Sequence, residues 1–223
     1  NTIYKLTAQI GGWGQTRDVK MAIVNSSDEN VVAQTHTLEN IAASGSVSDY
    51  ELYFVVPTSG NYKLRLTNAT SGQDNAAAIS NIVLKSTDAL EFVDGSAVPT
   101  YAPGTYPSVK ITRNLTANKW ATGVYPFAIN KSAVGEIAVL ARYNSEDAII
   151  GFNNADNSTA NVPFLMRSAS DKSEITLSNV AVAAASATNA EAGDASLVGS
   201  YANNTDVTEN AGNYILSNNT IYP

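Results

Sequence analysis

The chain of 223 residues contains no cysteine and only one histidine, His36. The lack of cysteine excludes disulfide bonds and thiolate metal ligands. The single histidine excludes a metal site built from several histidines, and it leaves one candidate for a histidine-based catalytic triad. His36 lies in the polar segment VVAQTHTLEN, and we interpret it as a surface residue.

Positive charge and long apolar runs are also scarce. The formal net charge is −7 and the pI is near 4.6, which argues against nucleic-acid binding because a basic patch supplies most of that affinity. No apolar run approaches the ~20 residues that cross a bilayer, so no transmembrane segment is expected. The charged fraction of 15% and the frequent Asn, Thr, Ser, Ala and Tyr indicate a secreted or cell-surface β-protein. The sequence contains no signal peptide, and a leader that had been removed would leave no trace in it.

The clearest pattern in the sequence is alternation of apolar and polar residues over YELYFVVPTSGNYKLRL, residues 50–66. Two alternating runs on either side of the turn-forming PTSG predict a half-buried antiparallel hairpin. Leu52 and Phe54 should face the same core as Tyr62 and Leu64, because a register slip of one residue would expose a core residue.

Four residues are candidates for ligand binding. On the outer face of the predicted hairpin, Tyr53 would lie beside Lys63 or Arg65. This group is either an ordinary exposed cross-strand pair or part of a ligand-binding face. Trp13 stands in the glycine-rich loop GGWGQTRD, where its indole either offers a stacking platform for a sugar or folds back over the end of the sandwich.

Short strands separated by turn-rich loops recur along the rest of the chain, and they predict an all-β fold with two β-sandwich domains. Two strands change the parity of their apolar residues. The change near Ser80–Asn81 predicts a bulge, and a register change is expected at Asn179.

A shift in composition divides the chain. Residues 88–107 are rich in proline and glycine and predict a semi-rigid connector between domains at 1–87 and 108–223. The alanine-rich stretch 181–192 is not predicted to be a helix, because Ser, Thr and Asn interrupt it and the preceding period is two.

Three segments, YKLTAQIGG, YELYFVVPTSGNYKLRLTN and ISNIVLKS, resemble the galactose-binding-like jelly-roll domains found among carbohydrate-binding modules. The resemblance covers about residues 1–87. It implies a jelly-roll whose ligand is held by loop aromatics or on a concave sheet face, and Trp13 and Tyr53 are the positions that such a site would use.

The same resemblance implies that a structural calcium ion is possible. Asp18, Asp28 and Asp74 lie in predicted loops, but they do not form a clear acidic cluster. No other cofactor is predicted, and the metal content is left open.

The second half contains ITRNLTANKWATGVYPFAIN, STANVPFLMRS, SLVGSY and NYILSNNTIY. These four motifs, in this order, resemble a β-domain that recurs at the C-terminal side of surface and secreted proteins of Bacteroidales bacteria. The resemblance covers about 108–223 and implies no catalytic residues. The order of the two halves resembles that of surface proteins that bind glycans or act as adhesion or spacer modules.

Motifs of common enzymes are missing. The sequence has no phosphate-binding glycine loop, no nucleophile elbow and no marked pair of carboxylates of the kind that glycosidases use. We therefore predict a non-catalytic protein that binds carbohydrate through its N-terminal jelly-roll. The alternative is a structural or adhesive module that contacts a surface protein and has no small-molecule ligand. The oligomeric state is left open.

Overall fold

The structure is a computed structural model that describes residues 1–12, 17–34, 38–41, 47–68, 77–144, 146–147, 149–201, 215–217 and 220–222. The candidate residue Trp13, together with His36 and Asp74, lies outside the described residues.

The all-β prediction is confirmed, since the described residues form eighteen strands and one helix of a single turn. The strands are β1 (Thr2–Gly12), β2 (Arg17–Asn25), β3 (Val31–Gln34), β4 (Leu38–Ile41), β5 (Val47–Val56), β6 (Tyr62–Asn68), β7 (Ala77–Thr87), β8 (Leu90–Val93), β9 (Gly104–Leu115), β10 (Trp120–Gly123), β11 (Glu136–Asn144), β12 (Ile149–Ala155), β13 (Phe164–Arg167), β14 (Lys172–Val182), β15 (Ala190–Ala192), β16 (Ala195–Leu197), β17 (Ile215–Ser217) and β18 (Thr220–Tyr222), and the helix is α1 (Lys131–Val134).

The chain divides into two compact units. Unit 1 comprises residues 1–90 and 99–107, and unit 2 comprises residues 91–98 and 108–223. The segment expected to be a connector is therefore shared between the two units, and β8 and β9 contribute residues to both.

Unit 1 contains two antiparallel sheets. In one, β1 lies between β5 and β7; in the other, β2 pairs with β3 and β4 and also with β6. The core-facing residues of both sheets belong to one hydrophobic cluster, which includes Leu6 of β1, Ile23 of β2 and Leu52 of β5. The arrangement is sandwich-like, because each sheet covers the apolar face of the other.

The prediction that β5 and β6 form a hairpin is wrong. β5 pairs with β1, where Leu6 lies opposite Leu52, whereas β6 pairs with β2, where Ile23 lies opposite Leu64. Residues 57–61 therefore cross from one sheet to the other. Alternation alone cannot distinguish a hairpin from such an arch, because in both cases the two strands turn their apolar faces to the same core. The expectation that these strands share a core is confirmed.

Both predicted irregularities are present. Thr7 of β1 lies opposite Val83 of β7, but Gln9 of β1 lies opposite Ser80 of β7. The β7 strand therefore contains one extra residue around Asn81, whose φ is 51°. Asn179 in β14 has a φ of 53°, and the buried residues of β14 change parity across it, from Ile175 to Val180 and Val182. Asparagine is one of the few residues that tolerates this left-handed conformation, and a single such residue is typical of a bulge.

Unit 2 contains a four-stranded sheet in the order β10-β13-β11-β12, and β14, β9 and β8 form a three-stranded sheet. β10 ends at Gly123, before Pro126, as expected for a residue that cannot donate to a sheet ladder. The predicted lack of a helix over 181–192 is confirmed. The core of this unit holds an aromatic cluster of Phe92, Tyr125, Phe127 and Phe164.

Asn161 of unit 2 has a φ of 65°, and its side chain forms several hydrogen bonds to residues outside the strands. Its side-chain oxygen accepts hydrogen bonds from Ser186 N at 3.2 Å and from the Tyr201 hydroxyl at 2.6 Å. Its amide donates to Ala184 O at 3.1 Å. One side chain thus satisfies a backbone carbonyl, a backbone N–H and a tyrosine hydroxyl that lie outside the strands.

Candidate functional site

Within the described residues, each of the two sheets of unit 1 has an edge strand with one unpaired side. In this part of the chain, β6 pairs with β2 and with no other strand, and β7 pairs with β1 and with no other strand. Leu84 of β7 lies opposite Leu6 and therefore faces the same side of the sheet, yet Leu84 is 55% exposed whereas Leu6 is 3% exposed. Ile82 is 51% exposed. The core-facing surface of unit 1 is thus uncovered along β7.

A cleft of about 630 Å³ opens at this place. Its size is that of a site for a small ligand. It is lined by Asn1, Thr2, Tyr4, Leu6, Ile23, Phe54, Val56, Pro57, Thr58, Ser59, Gly60, Asn61, Tyr62, Lys63, Leu64, Ile82 and Leu84.

Aromatic side chains contribute part of the cleft wall. Tyr4 and Phe54 lie opposite each other on β1 and β5, and their rings stack with centroids 5.7 Å apart. Phe54 is buried, whereas Tyr4 and Tyr62 are half-buried. Half-buried tyrosines offer both a ring face and a polar group, a combination that suits an amphipathic ligand.

The crossing segment 57–61 forms a polar side of the cleft and is fastened to Tyr62. The Tyr62 hydroxyl donates to Thr58 O at 2.7 Å and lies 3.2 Å from Thr58 Oγ1. Gly60 lies against the Tyr62 ring, since a Cβ at this position would sit 3.6 Å from a ring carbon. The ring and the loop therefore hold each other in place.

Charge at the cleft comes from β6. Lys63 lines the cleft, and its Nζ lies 3.8 Å from Glu29 Oε1. Arg65 Nη1 lies 4.0 Å from Glu29 Oε2. Among the described lining residues there is no aspartate or glutamate.

Tyr53 is not on an exposed face, and the expectation that its ring lies beside Lys63 or Arg65 is wrong. The residue is 4% exposed. Its N–H donates to Thr100 O at 2.9 Å, and its carbonyl accepts from Ala102 N at 2.8 Å. The segment around 100–102 thus closes the edge of β5 at Tyr53.

Two further contacts complete this closed edge. The hydroxyl of the buried Tyr106 lies 2.9 Å from Tyr53 O and 2.8 Å from Ala102 O, and donates between them. The Lys5 ammonium lies 4.9 Å from the centroid of the Tyr53 ring and 2.8 Å from Glu51 Oε2. The hydrogen bond to Glu51 raises the pKa of Lys5, although partial burial opposes this.

Of the four candidate residues, the structure places only Lys63 in the cleft, while Arg65 lies beside it on the same strand. Tyr53 belongs to the opposite edge, and Trp13 is outside the described residues. Ligand binding by these residues stays a prediction.

No three His, Asp or Glu side chains lie close enough to hold a metal ion within the described part of the chain. Asp28 lies in a turn, where its carboxylate accepts from Asn30 N at 3.0 Å and from Asn30 Nδ2 at 2.7 Å. Asp18 lies in β2 and not in a loop as expected.

Sequence reasoning placed the apolar residues of the cleft in the core and missed that they line an opening. One signal was available in β7, where Ile82, Val83 and Leu84 follow one another without a polar residue. In an edge strand such a run leaves apolar side chains exposed on both faces. The sequence does not reveal that β7 is an edge strand.

Among the described residues, no helix has the length and hydropathy needed to cross a membrane. No protein-family model, no curated protein and no solved structure matches this chain significantly.

Proposed function

We propose that this protein is a secreted or cell-surface carbohydrate-binding module that carries out no catalysis, and that its ligand lies in the cleft of unit 1. In this proposal unit 1 is a jelly-roll of the galactose-binding-like kind, and unit 2 is a β-sandwich that supports or spaces it. The observation that carries the proposal is a cleft that combines half-buried tyrosines with a polar loop.

The chemistry of the lining favours a sugar. A pyranose has an apolar C–H face and a rim of hydroxyl groups, so it needs a ring to stack on and polar groups to bond with. Tyr4 and Tyr62 supply rings, and Thr58, Ser59 and Asn61 supply donors and acceptors. Binding is favoured over hydrolysis, because the described lining has neither of the two carboxylates that glycosidases use.

A screen of the purified chain against immobilised glycans, together with affinity electrophoresis in gels containing soluble polysaccharides, tests the proposal. We expect retention by at least one glycan and loss of retention in Tyr62→Ala. Tyr143→Ala, the same change at a half-buried tyrosine of unit 2, serves as the matched control and should bind normally. Circular dichroism checks that both variants fold. Trp13→Ala in the same screen tests the sequence-based candidate.

Lack of retention by every glycan overturns the proposal. Equal loss of binding in Tyr62→Ala and Tyr143→Ala, with both folded, places the ligand elsewhere and overturns the assignment to the cleft.

A second candidate is an adhesive module without a small ligand, and the exposed Leu84 and Ile82 favour it. β7 has one partner and eleven residues, so its open edge could pair antiparallel with β7 of a second copy, with the same patch on both partners. Sedimentation velocity over a wide range of concentrations would then show a dimer that Leu84→Asp abolishes. A monomer at all concentrations excludes this candidate.

A further inference from the structure

The charge of the cleft is opposite to that of the chain. The whole chain has 20 acidic against 13 basic residues. Among the described residues that line the cleft, Lys63 is the only one with a charged side chain. An anionic ligand would therefore meet no side-chain carboxylate on the described wall, and it would meet the ammonium group of Lys63.

Lys63 is held only loosely by its neighbours. The distances of 3.8 Å from Lys63 Nζ and 4.0 Å from Arg65 Nη1 to the Glu29 carboxylate exceed those of charge-assisted hydrogen bonds, which are about 2.7–2.9 Å. Two positive groups share one negative group, so this Lys63–Arg65–Glu29 cluster has an excess positive charge.

Glu29 is held near the two cations by the turn between β2 and β3. Its φ of 56° is uncommon for a residue other than glycine or asparagine, and its N–H donates to Asn25 O at 2.9 Å. The backbone thus places a carboxylate where the charged group of a ligand would compete with it for Lys63.

The cluster contributes little to folding. All three side chains are more than a third exposed, and exposed ion pairs are worth little to stability. Variants of Lys63 and Glu29 are therefore expected to fold, and their effect on binding can be measured directly.

We infer that the ligand of the cleft is an acidic carbohydrate, with a carboxylate or sulfate group that Lys63 binds and for which Glu29 competes. The inference rests on the proposed function and adds the class of sugar. Lys63 binds the charged group of the ligand, and Glu29 acts on affinity through Lys63 as an internal competitor.

Matched pairs of probes test this. Galacturonan oligosaccharides are compared with their methyl esters, which differ in the carboxylate charge, and dextran sulfate is compared with dextran. Affinities are measured by titration calorimetry for the unaltered chain, Lys63→Gln and Glu29→Gln. Lys20→Gln is the control, because Lys20 is exposed on the neighbouring strand β2 and does not line the cleft.

We expect the unaltered chain to prefer the acidic member of at least one pair. Lys63→Gln should weaken binding of that member about twofold to fivefold, the range expected for one exposed charge pair, and leave the neutral member unchanged. Glu29→Gln should strengthen binding of the acidic member by a similar factor, and Lys20→Gln should change neither. Added salt should reduce the preference, because these charges are exposed.

The outcomes separate the two proposals. Equal binding of both members of each pair, or a preference that Lys63→Gln and Lys20→Gln reduce alike, overturns the inference and leaves carbohydrate binding intact. Failure to bind any probe, combined with a blank glycan screen, overturns both. The pair that shows the preference distinguishes a carboxylate from a sulfate.

Discussion

The two edge strands of the β5-β1-β7 sheet differ in what covers them. At the β5 edge, the segment around 100–102 pairs with Tyr53, and Tyr53, Tyr101 and Tyr106 are all buried. At the β7 edge, Ile82 and Leu84 are exposed. The same sheet thus closes one edge with its own chain and leaves the other open beside a cleft. The difference teaches that aromatic content alone does not mark the exposed edge of a sheet, because the tyrosines at the β5 edge are buried.

The closed edge depends most on Tyr106. Its side chain is 1% exposed and its hydroxyl bonds to two carbonyl groups. We expect Tyr106→Ala to lower the free energy of unfolding by ~3–5 kcal/mol, as for other large core aromatics. Tyr106→Phe keeps the ring and should lose only ~0.5–1.5 kcal/mol, the net worth of a hydrogen bond. Urea denaturation measures both. Equal effects would show that the ring itself is not packed.

Leu6 and Leu84 provide the most direct comparison of core and open edge, since they are opposite each other in register. Leu6→Ala removes a buried side chain and should destabilise unit 1 by ~2–5 kcal/mol. Leu84→Ala should change stability by about 0.5 kcal/mol or less, because the side chain is exposed. A large loss of stability for Leu84→Ala would mean that another part of the protein covers the cleft.

The bulge at Asn81 adds a smaller effect at the open edge. Valine at a φ of 51° places its Cβ too close to the backbone, so Asn81→Val should destabilise by ~1–2 kcal/mol, whereas Asn81→Gly should be nearly neutral. Chemical denaturation checks both variants. The same pair of changes at Asn179, with a φ of 53°, tests the equivalent left-handed position in β14 of unit 2. If valine is tolerated as well as glycine, the bulge is not fixed by this residue.

The smallest effect compares Lys5 with Lys85, which lie opposite each other on β1 and β7. Lys5 contacts Glu51 and the Tyr53 ring, whereas Lys85 is exposed. We expect Lys5→Met to destabilise by about 1 kcal/mol or less and Lys85→Met to have no effect.

The same comparison has a signature in pH. Folding raises the pKa of Lys5, mainly through its hydrogen bond to Glu51. A raised pKa means that the folded chain holds this proton more tightly than the unfolded chain does. The contribution of Lys5 to stability is therefore complete below the ordinary value of 10.5, and it is lost as the pH rises through the folded pKa. Unfolding curves in alkaline buffer should show this loss in the unaltered chain and not in Lys5→Met.

Features that depend on a few neighbouring residues were predictable from the sequence. The strands follow from alternation, and the bulge at Asn81 and the change of buried face at Asn179 follow from a parity change at a residue that tolerates positive φ. β10 ends before Pro126 for a similarly local reason. Each of these features is determined within about one strand of sequence.

Features that depend on distant segments were not predictable. Tyr53 pairs with Thr100 and Ala102, which follow it by 47 and 49 positions along the chain, and no local sequence pattern predicts such a contact. The cleft exists because β6 and β7 are both edge strands, a property of topology. Lys63 was a candidate because it was expected to lie beside Tyr53, but it lines the cleft from β6, whereas Tyr53 belongs to β5 in the other sheet.

The arch at 57–61 has a consequence for how unit 1 forms. Because of this arch, β5 and β6 belong to different sheets. The partners of β1 are β5, which begins at Val47, and β7, which begins at Ala77. Native contacts at such sequence separations give a high contact order, and domains of this kind fold in about milliseconds to seconds and not in microseconds. During synthesis, β1 is therefore made before both of the strands with which it pairs.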